Sequence, residues 1–166
     1  YPFPEGYLPR VCDLVQLADG TVLVCTPGYG LFVVGDDETL HLTKDYSFSP
    51  DDFFFVGMFE DSKRRVWKHD GGSEFVMKDD YRFYKLESTL GGVVGFVERA
   101  DEVLVVCSQG FMAYHGGELT IADIDMSVLG NNDVTFSVVS TDAEGNIYIG
   151  TRNRGLYAVA LGSRNL

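Results

Sequence analysis

The residues of this chain best suited to hold a ligand are scattered: Tyr29, Tyr46, Asp70, Gln109, Arg152, Asn153 and Arg154. An aromatic ring can stack on the apolar face of a sugar, while amide and guanidinium groups donate hydrogen bonds to hydroxyl oxygens. Such a set suits binding of a small polar ligand, an oligosaccharide among them, more than catalysis. His41, His69 and His115 have no metal-ligand spacing. Asp36-Asp37, Asp51-Asp52 and Asp79-Asp80 are paired acids, but hydrolytic carboxylates face each other across a cleft of about 5–10 Å and are not neighbours in one turn. Lys63-Arg64-Arg65 reads as a solvent-facing basic turn. Cys12, Cys25 and Cys107 fall in apolar runs. Their odd number and wide spacing match neither a disulfide framework nor a zinc site, so they read as buried small hydrophobic residues. No nucleophile elbow, phosphate loop or dinucleotide fingerprint occurs. No catalytic residue, metal or cofactor is expected.

The bulk properties narrow the partners. In 166 residues, 45% are hydrophobic and 13% aromatic, enough apolar material for a packed core. The 13 basic against 25 acidic side chains give a formal charge of −12. That charge repels phosphate backbones, so nucleic acid is not an expected partner. No run of about 18 apolar residues exists to insert into a membrane. Tyr1-Pro2-Phe3-Pro4-Glu5-Gly6 lacks the basic start and apolar stretch of a signal peptide.

The elements that must position the candidate residues come from an internal repeat. Asp19-Gly20-Thr21-Val22-Leu23-Val24-Cys25-Thr26, followed by Tyr29-Gly30-Leu31-Phe32-Val33, matches Glu144-Gly145-Asn146-Ile147-Tyr148-Ile149-Gly150-Thr151, followed by Arg154-Gly155-Leu156-Tyr157-Ala158. Weaker copies begin at Arg65-Val66-Trp67 and at Glu102-Val103-Leu104. The mean period of about 42 residues is that of a four-stranded propeller blade. Each unit reads as short strands punctuated by Gly and Asp turns. The expected strands are 11–17, 21–26, 30–34 and 39–43 in the first unit, and 53–59, 65–69, 73–77 and 81–86 in the second. The third has 93–97, 103–107, 110–114 and 118–122, and the fourth 134–140, 146–150 and 155–161. A unit this small has no second layer and must stack on its neighbours.

The reading is therefore an all-β propeller of four-stranded antiparallel blades, four blades being present at about 11–50, 51–90, 91–130 and 131–166. Residues 1–10 are taken as a linker or edge segment, since Pro2, Pro4 and Pro9 make poor strand material. The fourth unit stops before an outermost strand, so further blades of a larger ring, about six to eight in all, are expected. A closed four-bladed ring is the alternative. In such a fold ligands meet the loops joining the second and third strands of each blade: 26–29, 69–72, 108–109 and 151–154. They also meet the blade-to-blade connections at 44–52, 88–92 and 127–133. The candidate residues named above all fall in these loops.

The stretch Asn132-Asp133-Val134-Thr135-Phe136 through Asp142-Ala143-Glu144-Gly145, Tyr148-Ile149-Gly150-Thr151 and Gly155-Leu156-Tyr157 resembles a two-component regulator propeller repeat. That pattern has an Asn-Asp-x-Val start, an Asp-x-x-Gly turn, an aromatic-Ile-Gly-Thr strand end and a Gly-Leu pair. The first unit follows it fairly. The second departs at His69-Asp70 and the third at Cys107-Ser108. The resemblance implies a periplasmic or extracellular sensor propeller of a bacterial hybrid histidine kinase, often seven-bladed, with polysaccharide fragments as frequent ligands. It carries over no catalytic residue. A propeller enzyme of the lyase or lactonase type, or a protein-interaction platform, are the alternatives.

Overall fold

The computed structural model describes residues 2–43, 55–79, 82–130, 133–160 and 162–166. Four antiparallel sheets follow one another along the chain, each an up-and-down meander with neighbours in sequence order. The first contains β1 (Asp13–Gln16), β2 (Val22–Thr26), β3 (Gly30–Val34) and β4 (Leu40–Thr43). The second contains β5 (Gly57–Glu60), β6 (Val66–His69), β7 (Glu74–Lys78) and β8 (Phe83–Glu87). The third contains β9 (Val93–Arg99), β10 (Glu102–Cys107), β11 (Gly110–His115) and β12 (Glu118–Ile121). The fourth contains three strands, β13 (Phe136–Thr141), β14 (Ile147–Thr151) and β15 (Leu156–Val159). Among the described residues the one helical element is a 3-10 turn at Ser127–Leu129.

Several strand ends differ from expectation. β1 is shorter than 11–17 because the Leu17 amide already donates to the Thr21 carbonyl at 2.8 Å and so belongs to the turn. β5 starts at Gly57, although Phe55 is buried; residues 53 and 54 lie outside the described residues. β15 ends at Val159 rather than 161. Residues 2–10 form no strand. Among the described residues nothing from that segment joins the fourth sheet.

Contacts divide the chain into two compact units, residues 1–71 with 76–85 and residues 72–75 with 86–166. In the first unit, one face of the first sheet packs Leu23, Cys25 and Leu31 against Phe55, Met58 and Val66. Its other face carries Val24, Phe32 and Leu40, covered by Phe3 and Tyr7. The two covering rings stand edge-on to Phe32, with centroids at 5.0 and 5.6 Å. In the second unit Val97, Leu104, Val106, Phe111 and Ala113 pack against Phe136, Ile147, Ile149 and Val159. Each of the larger of these side chains contributes about 1.5–3 kcal/mol on burial. The unbroken run Val103–Cys107 is fully buried on both faces of its strand, which explains why its sequence does not alternate.

The repeat is clearest in the turn between the first two strands of a sheet. In the second sheet the Asp61 amide donates to the Arg65 carbonyl (3.0 Å) and the Arg64 amide returns to the Asp61 carbonyl (2.9 Å). In the fourth sheet Asp142–Asn146 and Gly145–Asp142 make the same pair of bonds, both 3.1 Å. In the first sheet Leu17–Thr21 and Gly20–Leu17 do so at 2.8 and 2.9 Å. The fourth residue of the turn needs positive φ, supplied by Gly20 (92°), Gly145 (85°) and, unusually, Arg64 (63°).

A second shared device is an extra residue at the start of each sheet's first strand. The Cys12 amide donates to the Cys25 carbonyl although Asp13 is the residue paired with Cys25. Val56 does the same to His69, whose partner is Gly57. In the third and fourth sheets the register slips by one at Val94 and Ser137. Bulges of this kind bend a strand and increase its twist. In three of the four sheets the pair just after the bulge sets a glycine against a larger side chain: Gly57 with His69, Gly95 with Val106, and Gly150 with Val138. A Cβ on Gly150 would lie 2.5 Å from Val138 Cγ1, and one on Gly57 would strike the His69 ring.

Candidate functional site

The second unit gathers three of the predicted segments at one end. The Ser108 carbonyl, in the β10–β11 loop, accepts the Phe136 amide at 2.9 Å. The adjacent Thr135 carbonyl accepts the Arg152 amide, from the β14–β15 loop, at 3.0 Å. On the other side of the β10–β11 loop, the Gln109 amide donates to the Leu90 carbonyl (3.1 Å) and the Ser108 amide to the Gly92 carbonyl (2.7 Å). Two hairpin loops and two sheet-to-sheet connections are thus tied through main-chain bonds. Gly91, with φ of 83°, lets the 88–92 connection pass directly over the Ser108 hydroxyl and the Gln109 side chain.

Beneath these loops the Ser88 hydroxyl donates to Cys107 Sγ at 3.0 Å and receives the Leu90 amide at 3.0 Å. Burial raises the Cys107 thiol above its ordinary value, which suits a packed, protonated sulfur. Above them the groups are solvated. Asn153 donates from its amide to the Asp133 carbonyl at 2.8 Å. The Arg154 amide caps on the Thr151 hydroxyl at 2.9 Å, and that hydroxyl donates to the Gly155 carbonyl at 2.9 Å. Arg152, Asn153 and Arg154 are all exposed, as is Gln109. Of the predicted residues, Gln109 and Arg152–Arg154 therefore lie on one set of linked loops. Thr135 and Met126 also belong to it, Met126 lying 3.3 Å from where a Cβ on Gly110 would be. Neither was among the sequence candidates, since no turn signal marks them.

Tyr29 and Asp70 belong to the first unit. Tyr29 sits in the 26–30 turn, where its amide donates to the Thr26 carbonyl at 3.2 Å and the Thr26 hydroxyl donates to the Gly30 carbonyl at 2.7 Å. Its ring leans on Tyr7, with centroids 5.8 Å apart, and remains 42% exposed. Asp70 follows β6 in the corresponding loop of the second sheet and is exposed. Tyr46 lies outside the described residues. Thr26 and Thr151 make the same hydroxyl-to-carbonyl bond across their loops. The strand-ending Thr read from the sequence is thus a fastening for the loop.

Other chemistry-bearing groups stand apart from these loops. His41 Nε2 lies 3.0 Å from Asp37 Oδ1 and 2.9 Å from the Thr39 hydroxyl in an exposed turn. Those bonds hold the Asp37 carboxyl down to about 2. A solvent-facing side-chain triad bonded within one turn has no pocket in which to act. Lys68 is buried with its ammonium 4.5 Å above the Phe55 ring. Among the described residues no three His, Cys, Asp or Glu side chains gather as a metal would require.

No protein-family profile and no curated protein matches the sequence. Solved structures do. Its fold resembles that of extracellular domains of two-component systems. The extracellular domain of BT4673 from B. thetaiotaomicron, described as that of a hybrid two component system, superposes with a TM-score of 0.65 at 17% identity over 97% of this chain. The corresponding domain of BT3049 from the same organism gives 0.56 at 14% identity over 90%. The chain spans only 21% and 20% of those two extracellular domains. YCF48 bound to D1 peptide gives 0.65 at 13% identity, covering 90% of this chain and 50% of that one. At these identities the likeness establishes the arrangement of sheets.

Proposed function

We propose that the chain is part of a β-propeller that binds a polar, carbohydrate-like ligand without catalysis, as the sensor module of an extracytoplasmic signalling receptor. The observation that carries this reading is the joining of the 108–109, 133–136 and 152–154 segments into one loop surface bearing Gln109 and Arg152. Four successive meanders with the same bulge, three of them also sharing the same first turn, support blades of one ring, with further blades supplied by the parent chain. The likeness to extracellular domains of hybrid two component systems supports the sensor role and a periplasmic or extracellular location. The overall acidity leaves Arg152 and Arg154 as conspicuous positive groups on that surface and favours a ligand rich in oxygen acceptors.

A calorimetric screen of neutral and acidic oligosaccharides tests the reading. Binding that weakens in Arg152→Ala by about 1.5–3 kcal/mol, roughly ten- to a hundredfold in Kd, is the expected result. No heat from any oligosaccharide, together with an unaltered melting temperature, would overturn it. Heat from extended peptides instead would favour the interaction-platform reading, for which the peptide-bound YCF48 structure offers a fold-level precedent.

A further inference from the structure

Three cysteines invite a question that their role as small core residues leaves open. Cys107 has a partner in Ser88 and no second cysteine near it in its sheet. Cys12 and Cys25 are different. The bulge at the start of β1 sets Cys12 and Asp13 together opposite Cys25, and the Cys12 amide bonds the Cys25 carbonyl at 2.9 Å. A bulge sets both of its residues opposite one partner, so Cys12 as well as Asp13 faces Cys25 across neighbouring strands, and a disulfide bridges Cα atoms about 4.4–6.8 Å apart. Cys12 packs against the same apolar cluster that contains Cys25, so both side chains occupy one face of the sheet. Cys12 Sγ lies 3.2 Å from the Cys25 carbonyl oxygen. The Ser137 hydroxyl makes the matching bond, 3.1 Å to the Gly150 carbonyl, at the bulge of the fourth sheet. Among the described sheets only the first places cysteines at both positions of this motif.

We propose that Cys12 and Cys25 are a disulfide-forming pair, closed by thiol–disulfide exchange with a low-molecular-weight or protein disulfide. Cys12 is half-buried and Cys25 fully buried, so the Cys12 thiolate attacks first. It forms a mixed disulfide and releases one thiol of the oxidant. Cys25 then gives up its proton and displaces the second thiol. Two S–H bonds are lost and one S–S bond is made. The two electrons leave in the two thiols formed from the oxidant. Burial raises both thiols above their ordinary value, with the Asp13 carboxylate adding to the effect. The reaction is therefore slow at neutral pH and accelerates in mild alkali. The bridge would fasten β1, an edge strand, and the segment carrying Phe3 and Tyr7 onto the first sheet.

The test treats the folded, reduced chain with oxidised glutathione in mildly alkaline buffer and reads intact mass and peptide linkage. The expected result is loss of two hydrogen atoms, a Cys12–Cys25 cross-linked peptide and a higher melting temperature. Cys107 should stay alkylatable only after unfolding. Cys25→Ala should stop at a stable glutathione adduct on Cys12. Cys12→Ser, which reproduces the Ser137 arrangement and keeps the fold, should remain unmodified at Cys25. The proposal is overturned if the wild-type chain also stops at the adduct, if the bridge forms only in denaturant, or if Cys12 pairs with Cys107. None of these outcomes depends on ligand binding by the loops.

Discussion

The turn of the second sheet and the turn of the fourth are built on one plan and carry different loads. Asp61 Oδ1 accepts the amides of Lys63 and Arg65 at 3.0 and 2.9 Å, and its Oδ2 accepts Arg65 Nε at 2.6 Å and Trp67 Nε1 at 2.8 Å. Asp142 Oδ1 accepts the Asn146 amide at 2.8 Å, and its Oδ2 accepts Asn146 Nδ2 at 2.7 Å and the Tyr148 hydroxyl at 2.9 Å. The partners fall at the same offsets, four and six residues on. Asp61 and Trp67 are almost wholly buried, whereas Asp142 and Tyr148 are partly exposed. The lesson is that one carboxylate holds the hairpin in both, but only in the second sheet does it also satisfy a core indole and a shielded guanidinium.

The largest expected effect follows from that difference. Asp61→Ala leaves the Trp67 N–H and the Arg65 side chain without this carboxylate, and should cost about 3–5 kcal/mol in urea unfolding. Asp142→Ala should cost clearly less, because water replaces the lost acceptor. Equal losses at the two sites would break the comparison. Trp67→Phe combined with Asp61→Ala should cost less than the sum of the single changes, since both remove one shared bond.

The sequence reveals the hairpin but not its anchor. The turn at Asp142-Ala143-Glu144-Gly145 was readable because it ends in glycine. The matching Asp61-Ser62-Lys63-Arg64 has arginine at the positive-φ position and so looked like a basic solvent turn. The repeat itself, the strand count of all four sheets and the strand-ending threonines were legible because Gly, Asp and Thr mark turns by type. The shared bulges were not. They depend on which residue opposes which across two strands, a register that one strand's sequence does not contain. Part of the loop surface proposed to bind ligand was legible for the opposite reason: Gln109 and Arg152 lie in short hairpin loops whose ends the strands fix. The contribution of Thr135 could not be read, since it depends on how the 133–135 connection meets the β14–β15 loop.

The next contrast is at the fourth turn position. Arg64 pays for a left-handed backbone that Gly145 adopts freely. Arg64→Gly should therefore raise stability by up to about 1 kcal/mol, reduced by loss of the 3.2 Å ion pair with Glu60. Gly145→Arg should lower it by about 1 kcal/mol. Thermal denaturation of both variants checks the opposed signs. If both changes destabilise, the Arg64 side chain matters more than its backbone.

The smallest effect is a change in pH dependence at the exposed turn. Its bonds from Asn146, and then from Tyr148, hold the Asp142 carboxyl below its ordinary 3.8. The same carboxylate raises the Tyr148 hydroxyl above its ordinary 10.0. A carboxyl whose folded value is depressed contributes stability that is present above its unfolded value and is lost as pH falls through the folded one. A phenol whose folded value is raised contributes stability that is present below its unfolded value and is lost as pH rises through the folded one. The bond between them therefore stabilises across the interval between those limits and fails at either end. Asp142→Asn removes the ionised partner. The stability difference between wild type and this variant should be greatest near neutrality and narrow in both acid and alkali. Urea unfolding of the two proteins across that range reads the difference directly. A difference that shrinks only on the acid side would assign the effect to Asn146 and leave the tyrosine a spectator, removing one of the two anchors that make this turn comparable with that of the second sheet.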